Sequence, residues 1–288
     1  MIRSKKILTG LHHSQYEHPF DKKALETLES TPGLTAAGKY VTKQTIERIY
    51  TVQYTGSHLR ITKDSYPQIY EYMEYACQVL DVKRIPEMYL QWGFGIDSFT
   101  IGSDHPIVVL NSGFMDLCDD DEKLFLLGHE LGHIKSDHML YHMLAQLINY
   151  IIDLIPGGML VGGPLRYALL YWDRMSEFTA DRAGLLCCQN VNAVIRVYTK
   201  KAGLPQNQFS KLNAQAFLQQ AKDFDIMDYE KLNKLFKFIS IAGSDQPWTV
   251  MRAAELIKWI EQGEYDRFLK YALPDINGSI SSKLNRIK

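Results

Sequence analysis

Cysteine is scarce: Cys77, Cys118, Cys187 and Cys188 are the only four in 288 residues. None forms a Cys-x-x-Cys pair, which excludes the usual zinc modules and redox motifs. Adjacent Cys187 and Cys188 leave a helix in different directions, so a reduced, cytoplasmic chain is the simplest expectation. Net charge is nearly absent too, at −1, which gives no reason to expect a nucleic-acid partner. Met1–Leu8 carries basic residues but no apolar run of signal-peptide length follows, so secretion is not expected. Met139–Trp172 is rich in Leu, Ile and Met, yet Gln146, Asn149, Asp153 and Arg166 interrupt it. Pro156-Gly157-Gly158 and Gly162-Gly163-Pro164 break it in the middle. No run reaches the roughly 20 apolar residues that a membrane span needs. The segment reads as two core helices joined by an apolar loop over 156–164, with peripheral membrane contact or a mobile flap as alternatives. Internal repeats and low-complexity tracts are also missing.

What is present is a 46% hydrophobic chain, long enough to bury a substantial core. Residues 1–64 read as an N-terminal extension, partly helical from Pro19 to Leu28, and 65–288 as the main domain. Tyr66–Leu80 has Tyr66, Ile69, Tyr70, Met73, Cys77 and Leu80 at helical spacing. Met88–Trp92, Ser98–Ile101 and Ile107–Leu110 read as short strands, and Asn111-Ser112-Gly113 as the end of the third. Asp119-Asp120-Asp121-Glu122 then caps a long helix and complements its dipole. Everything after Leu165 reads as helical, with breaks near Gly203–Pro205, Asp223–Asp228 and Gly243–Pro247.

That long helix carries Gly128-His129-Glu130-Leu131-Gly132-His133-Ile134. Four residues advance about 400° and about 6 Å, so His129 and His133 leave one face. Two ring nitrogens can then converge on one ion at about 2.0–2.1 Å. Glu130 follows the first histidine and falls beside the ion, where it can take a proton from an attacking water. A catalytic zinc needs a third protein ligand and an open position, so the motif predicts another His, Asp or Glu on a nearby helix. Glu177, in Arg174–Asp181, is the best candidate. Asp181 lies one turn later and can accept a hydrogen bond from the outer nitrogen of a ligand histidine, His129 first.

With these residues the sequence resembles the HtpX-like zinc metallopeptidases, the group that includes the CAAX prenyl endopeptidases. The resemblance rests on His129–Ile134, on Arg174–Asp181 with Arg182-Ala183-Gly184, and more weakly on Asp97–Gly102 leading into Val108–Gly113. It runs from about residue 65 to 260. It implies a gluzincin with one Zn2+ per chain, His129, His133 and Glu177 as ligands, and Glu130 as general base. It also implies an α+β zincin-type fold, mainly helical, with a small sheet beside the metal helix, and a peptide or protein substrate. Members carry Ser-x-His-Pro followed by an Arg late in the chain. Here Ser244-Asp245-Gln246-Pro247 places Gln246 at the histidine, and Arg252 is kept. Gln donates a hydrogen bond but carries no charge. Many relatives have transmembrane helices, and this chain reads as a soluble branch.

The mechanism expected is metalloendopeptidase chemistry. The edge around Ser98–Ile101, with Phe99, is a candidate surface for an extended substrate. Zinc needs one further donor at the oxyanion. Arg252, His105, Tyr167 and Tyr171 are candidates, each with a bland alternative: carboxylate pairing for Arg252 and core packing for the tyrosines. One rival is a zinc-binding but latent homologue acting as a binding or chaperone-like protein. Another is an aminopeptidase, but those place the glutamate about one short helix away, whereas 43 residues separate His133 from Glu177 here.

Overall fold

A computed structural model describes residues 5–41, 47–151, 158–211, 213–226 and 248–271. The fold is α+β and mainly helical, with one small mixed sheet. Its strands are β1 (Leu59–Ile61), β2 (Glu87–Gln91), β3 (Ser98–Ile101) and β4 (Ile107–Asn111), in the order β1-β2-β4-β3. β1 pairs antiparallel with β2, β2 runs parallel to β4, and β3 pairs antiparallel with β4, Ser98 facing Leu110. Among the described residues β3 is therefore a sheet edge. β4 is buried along Ile107–Leu110, which its continuous apolar run anticipates.

Helices α1 (Pro19–Glu29), α2 (Leu34–Val41) and α3 (Glu47–Ser57) precede the sheet. α4 (Pro67–Val79) buries Ile69, Met73 and Cys77, the face expected from the sequence. α5 (Ser112–Leu117) begins where β4 ends, so Ser112 starts a helix that the turn reading did not anticipate. α6 (Asp120–Lys135) opens as expected: the Asp119 side chain accepts from the Glu122 N–H, and the Glu122 side chain from the Asp119 N–H, both at 2.9 Å. Glu122 is fully buried, and Arg196 and Lys200 meet its carboxylate at 2.9 and 2.6 Å.

α7 (Met139–Ile151) and α8 (Gly158–Cys188) follow. Residues 152–157, including Pro156, lie outside the described residues, but the break expected at Gly162–Pro164 does not occur. Pro164 sits inside α8 and removes one backbone bond, at a cost of about 3 kcal/mol. Leu169, Trp172, Met175 and Phe178 are buried in a cluster with Ala24, Leu28 and Tyr141. Each large side chain contributes about 1.5–3 kcal/mol, so this packing outweighs the proline. The remaining α-helices among the described residues are α9 (Val191–Lys201), α10 (Ala214–Ile226), α11 (Thr249–Glu261) and α12 (Glu264–Tyr271). α8 and α9 are parted at Gln189, whose φ is 47°, and by the Asn190 cap, a break the sequence reading missed. Segments ahead of residue 65 join the core: Leu8, Leu11, Tyr16 and Ile61 share the largest cluster with α4 and α6. Among the described residues no helix is long and apolar enough to cross a membrane.

α6 and α8 approach closely because glycines leave room. A Cβ at Gly128 would lie 2.3 Å from Cys187 Cβ, and one at Gly132 would lie 2.6 Å from Ala183 Cβ. Gly128→Ala is expected to destabilise the protein by about 1–3 kcal/mol through overpacking. Denaturant unfolding checks this, and an unchanged midpoint would show that the helices part without cost.

Candidate metal centre

The close helix pair sets Glu177 of α8 opposite the two histidines of α6. His129 Nε2 and His133 Nε2 are 3.2 Å apart. Glu177 Oε2 is 3.5 Å from the first, and Oε1 is 3.4 Å from the second. A tetrahedral ion with bonds of about 2.0–2.1 Å separates its ligand atoms by roughly 3.3 Å. The three side chains thus have the spacing and the donor chemistry for zinc, and they form one of two groups among the described residues able to hold a metal.

Behind these three side chains lies a charged layer. Asp181 Oδ1 is 3.0 Å from His129 Nδ1, the contact the sequence anticipates. Arg252 of α11 donates Nε to Asp181 Oδ2 at 2.7 Å and Nη2 to Oδ1 at 2.5 Å, and its Nη1 lies 2.8 Å from Glu177 Oε2. Arg252 is buried, and the carboxylate pairing expected of it as the alternative is present, while it also lines the cavity. Burial disfavours charge on both carboxylates. Arg252 is the chief opposing influence: Glu177 is held well below its ordinary value and Asp181 at about 2. Burial also opposes charge on His129, but Asp181 and Glu177 raise it to about 9. Burial pushes His133 down to about 3.

Glu130 is buried and fixed from the sheet edge. Ser98 Oγ donates to Oε1 and Thr100 Oγ1 to Oε2, each at 2.7 Å. Ser98 and Thr100 alternate along β3 and so share a face. The sequence reading marked this strand without assigning those hydroxyls; their i, i+2 spacing was the available signal. A cavity of about 620 Å³ opens here, lined by Ser98, Phe99, His129, Glu130, Glu177 and Arg252 among others.

Three expected oxyanion donors lie elsewhere. His105 is on the β3–β4 turn beside Arg84. Tyr167 and Tyr171 are 57% and 41% exposed, which also corrects their expected core packing. They lie one turn apart on α8, off the face that buries Leu169 and Trp172. Gln246 falls outside the described residues. The sequence reading also missed Tyr198 of α9, which is buried and lines the cavity beside the Arg252 guanidinium.

A histidine pair and a glutamate on two packed helices, with a glutamate beside them in a cleft, are the residue types that metallopeptidase sites use. The profile of Peptidase family M48 matches residues 74–256, and the chain belongs to that family. The HtpX-like assignment read from the motifs therefore holds. The chain is 29% identical to the plastoglobule-localized metallopeptidase 48, chloroplastic, of Arabidopsis thaliana over 269 residues, 92% of this chain and 78% of that protein. It is also 30% identical to a protease HtpX homolog of Sulfurihydrogenibium sp. over 91 residues, 31% of this chain and 30% of that one.

Proposed function

We propose that the protein is a zinc-dependent endopeptidase in which His129, His133 and Glu177 hold the ion and Glu130 is the general base. The observation that carries this is that the two Nε2 atoms lie 3.2 Å apart and each lies 3.4–3.5 Å from one of the two Glu177 oxygens, close to the separation of ligand atoms around a tetrahedral ion. Zinc supplies Lewis-acid polarisation of the scissile carbonyl and acidifies the attacking water. Glu130 takes the water proton on a carboxylate oxygen and passes it to the leaving amine. Ser98 and Thr100 hold that carboxylate in place, so its position does not depend on substrate. The open edge of β3 beside Glu130 favours an extended chain laid along it, which supports internal cleavage of a peptide or protein. The printed names of both relatives, a metallopeptidase and a protease, support hydrolysis of peptide bonds. The buried, unpaired cysteines support a reducing, cytoplasmic-type compartment.

Glu130→Gln tests the base. Zinc content is expected to stay at one per chain while casein hydrolysis falls about 10²–10⁴-fold. Turnover near the wild-type rate would remove Glu130 from the role. One observation favours the latent alternative: Arg252 Nη1 already lies 2.8 Å from one of the two Glu177 oxygens and competes for its charge. Wild-type protein that binds zinc and leaves casein intact would select that alternative.

A further inference from the structure

His133 turns Nε2 toward His129 and Glu177, so its Nδ1 faces away and needs a partner of its own. A metal-bound imidazole is oriented by the group that receives its outer N–H. For His129 that group is Asp181. For His133 the neighbours are two more imidazoles: His138 Nδ1 and His142 Nε2, each at 3.1 Å.

The chain turn after α6 builds this contact. Asp137 takes a left-handed φ of 55°, which aspartate tolerates. The His138 N–H then returns to the His133 carbonyl at 3.1 Å, and the Asp137 N–H to that of Ile134 at 3.2 Å. This ending folds residue 138 back over residue 133. On the far side, His138 Nε2 lies 3.1 Å from Asp21 Oδ2 of α1. Thr179 donates its hydroxyl to the same oxygen at 2.5 Å and accepts the His18 N–H at 2.9 Å. His138 and Asp21 are both fully buried, and Trp172 packs edge-on against the His138 ring.

The proton inventory is consistent along this line. Ionised Asp21 only accepts, so a neutral His138 keeps its proton on Nε2, which faces Asp21 at 3.1 Å without the alignment of a formal hydrogen bond, and a lone pair at Nδ1. That lone pair receives Nδ1–H of His133, which leaves the His133 Nε2 lone pair for the ion. The other branch is weaker. His142 pairs with Asp173, both are partly exposed at the cavity, and His142 Nε2 also lies 3.3 Å from Ser176 Oγ. Water competes on that side.

We propose that His138 and Asp21 form a relay that fixes the tautomer and ring plane of the metal ligand His133. Helix α1, upstream of the residues matched by the family profile, thereby becomes a working part of the metal centre. Both are positioning residues, and the relay rests on the zinc reading above.

The test uses the full-length protein, with zinc affinity from chelator competition and the visible spectrum of the cobalt(II)-substituted form. His138→Phe keeps a ring of similar volume and removes the acceptor. It is expected to weaken zinc about 10–100-fold and to shift the cobalt bands. His138→Asn returns an acceptor near the former Nδ1 and is expected to recover most of the affinity and the wild-type spectrum. Asp21→Asn, which preserves volume, is expected to weaken zinc about tenfold and keeps the test open if His138→Phe does not fold. Unchanged affinity and spectra in the folded variants would overturn the relay alone. So would a full loss in His142→Phe with none in His138→Phe. Absence of zinc from the wild-type protein would overturn the zinc reading and the relay together.

Discussion

Glu177→Ala is expected to strip zinc from the protein during ordinary dialysis and to abolish proteolysis with it. Four-ligand zinc sites bind with about 10–16 kcal/mol, so one protein ligand carries on the order of 3 kcal/mol. At 1.4 kcal/mol per decade this is a loss of about 10²–10³-fold in affinity. Two histidines 3.2 Å apart would remain, with no negative ligand to balance the ion. The fold is expected to survive, because Arg252 keeps both of its bonds to Asp181. Metal analysis after dialysis, paired with circular dichroism, checks both halves. Stoichiometric zinc in a folded Glu177→Ala protein would remove Glu177 from the ligand set. Loss of zinc together with loss of helix would point instead to a structural role for the carboxylate.

The proposed ligands were legible because their chemistry is local. His129 and His133 declare themselves by a four-residue spacing on a helix that Asp119 and Glu122 visibly cap. Glu177 and Asp181 repeat that spacing on α8, and the resemblance to a known family joins the two helices. The physical reason they meet is carried by small residues: Gly128 and Gly132 have no side chain, and Ala183, Gly184 and Cys187 face them. Other features are not encoded in any periodic signal. β1 has three residues and gains its place by pairing with β2, Leu59 opposite Leu90. The exposure of Tyr167 and Tyr171 depends on which face of α8 meets α1 and α7, which composition does not reveal. Pro164 reads as a breaker because propensity weighs its lost hydrogen bond, while tertiary packing of Trp172 and its neighbours decides the outcome. Asp21 is beyond any local reading: its partners, His138 and Thr179, lie 117 and 158 residues away.

Arg252→Met is expected to cost the metal-free protein about 3–5 kcal/mol at neutral pH, the penalty for orphaning a buried charge. Arg252 is the largest influence that opposes burial at Glu177 and Asp181, and both carboxylates stay in the interior when it goes. The pH dependence has a definite sign. In the wild type the Asp181 carboxyl is depressed from 3.8 to about 2. Its pairing therefore stabilises the fold above its ordinary value, and that stability is lost only as pH falls toward about 2. In Arg252→Met burial is left without its main opponent, and the carboxyl values rise. The folded variant then holds its carboxyl protons more tightly than the folded wild type, so its deficit is greatest at neutral pH and shrinks as pH is lowered toward about 4. Zinc works in the same direction from the other side, since a bound cation replaces part of the missing charge. Saturating zinc is expected to return more stability to Arg252→Met than to the wild type. Denaturant melts at two pH values, with and without zinc, read all three effects. A deficit that is the same at pH 7 and pH 4.5 would show that Arg252 acts by packing against Tyr198, where its guanidinium sits 5.9 Å from the ring centre, and not through the two carboxylates.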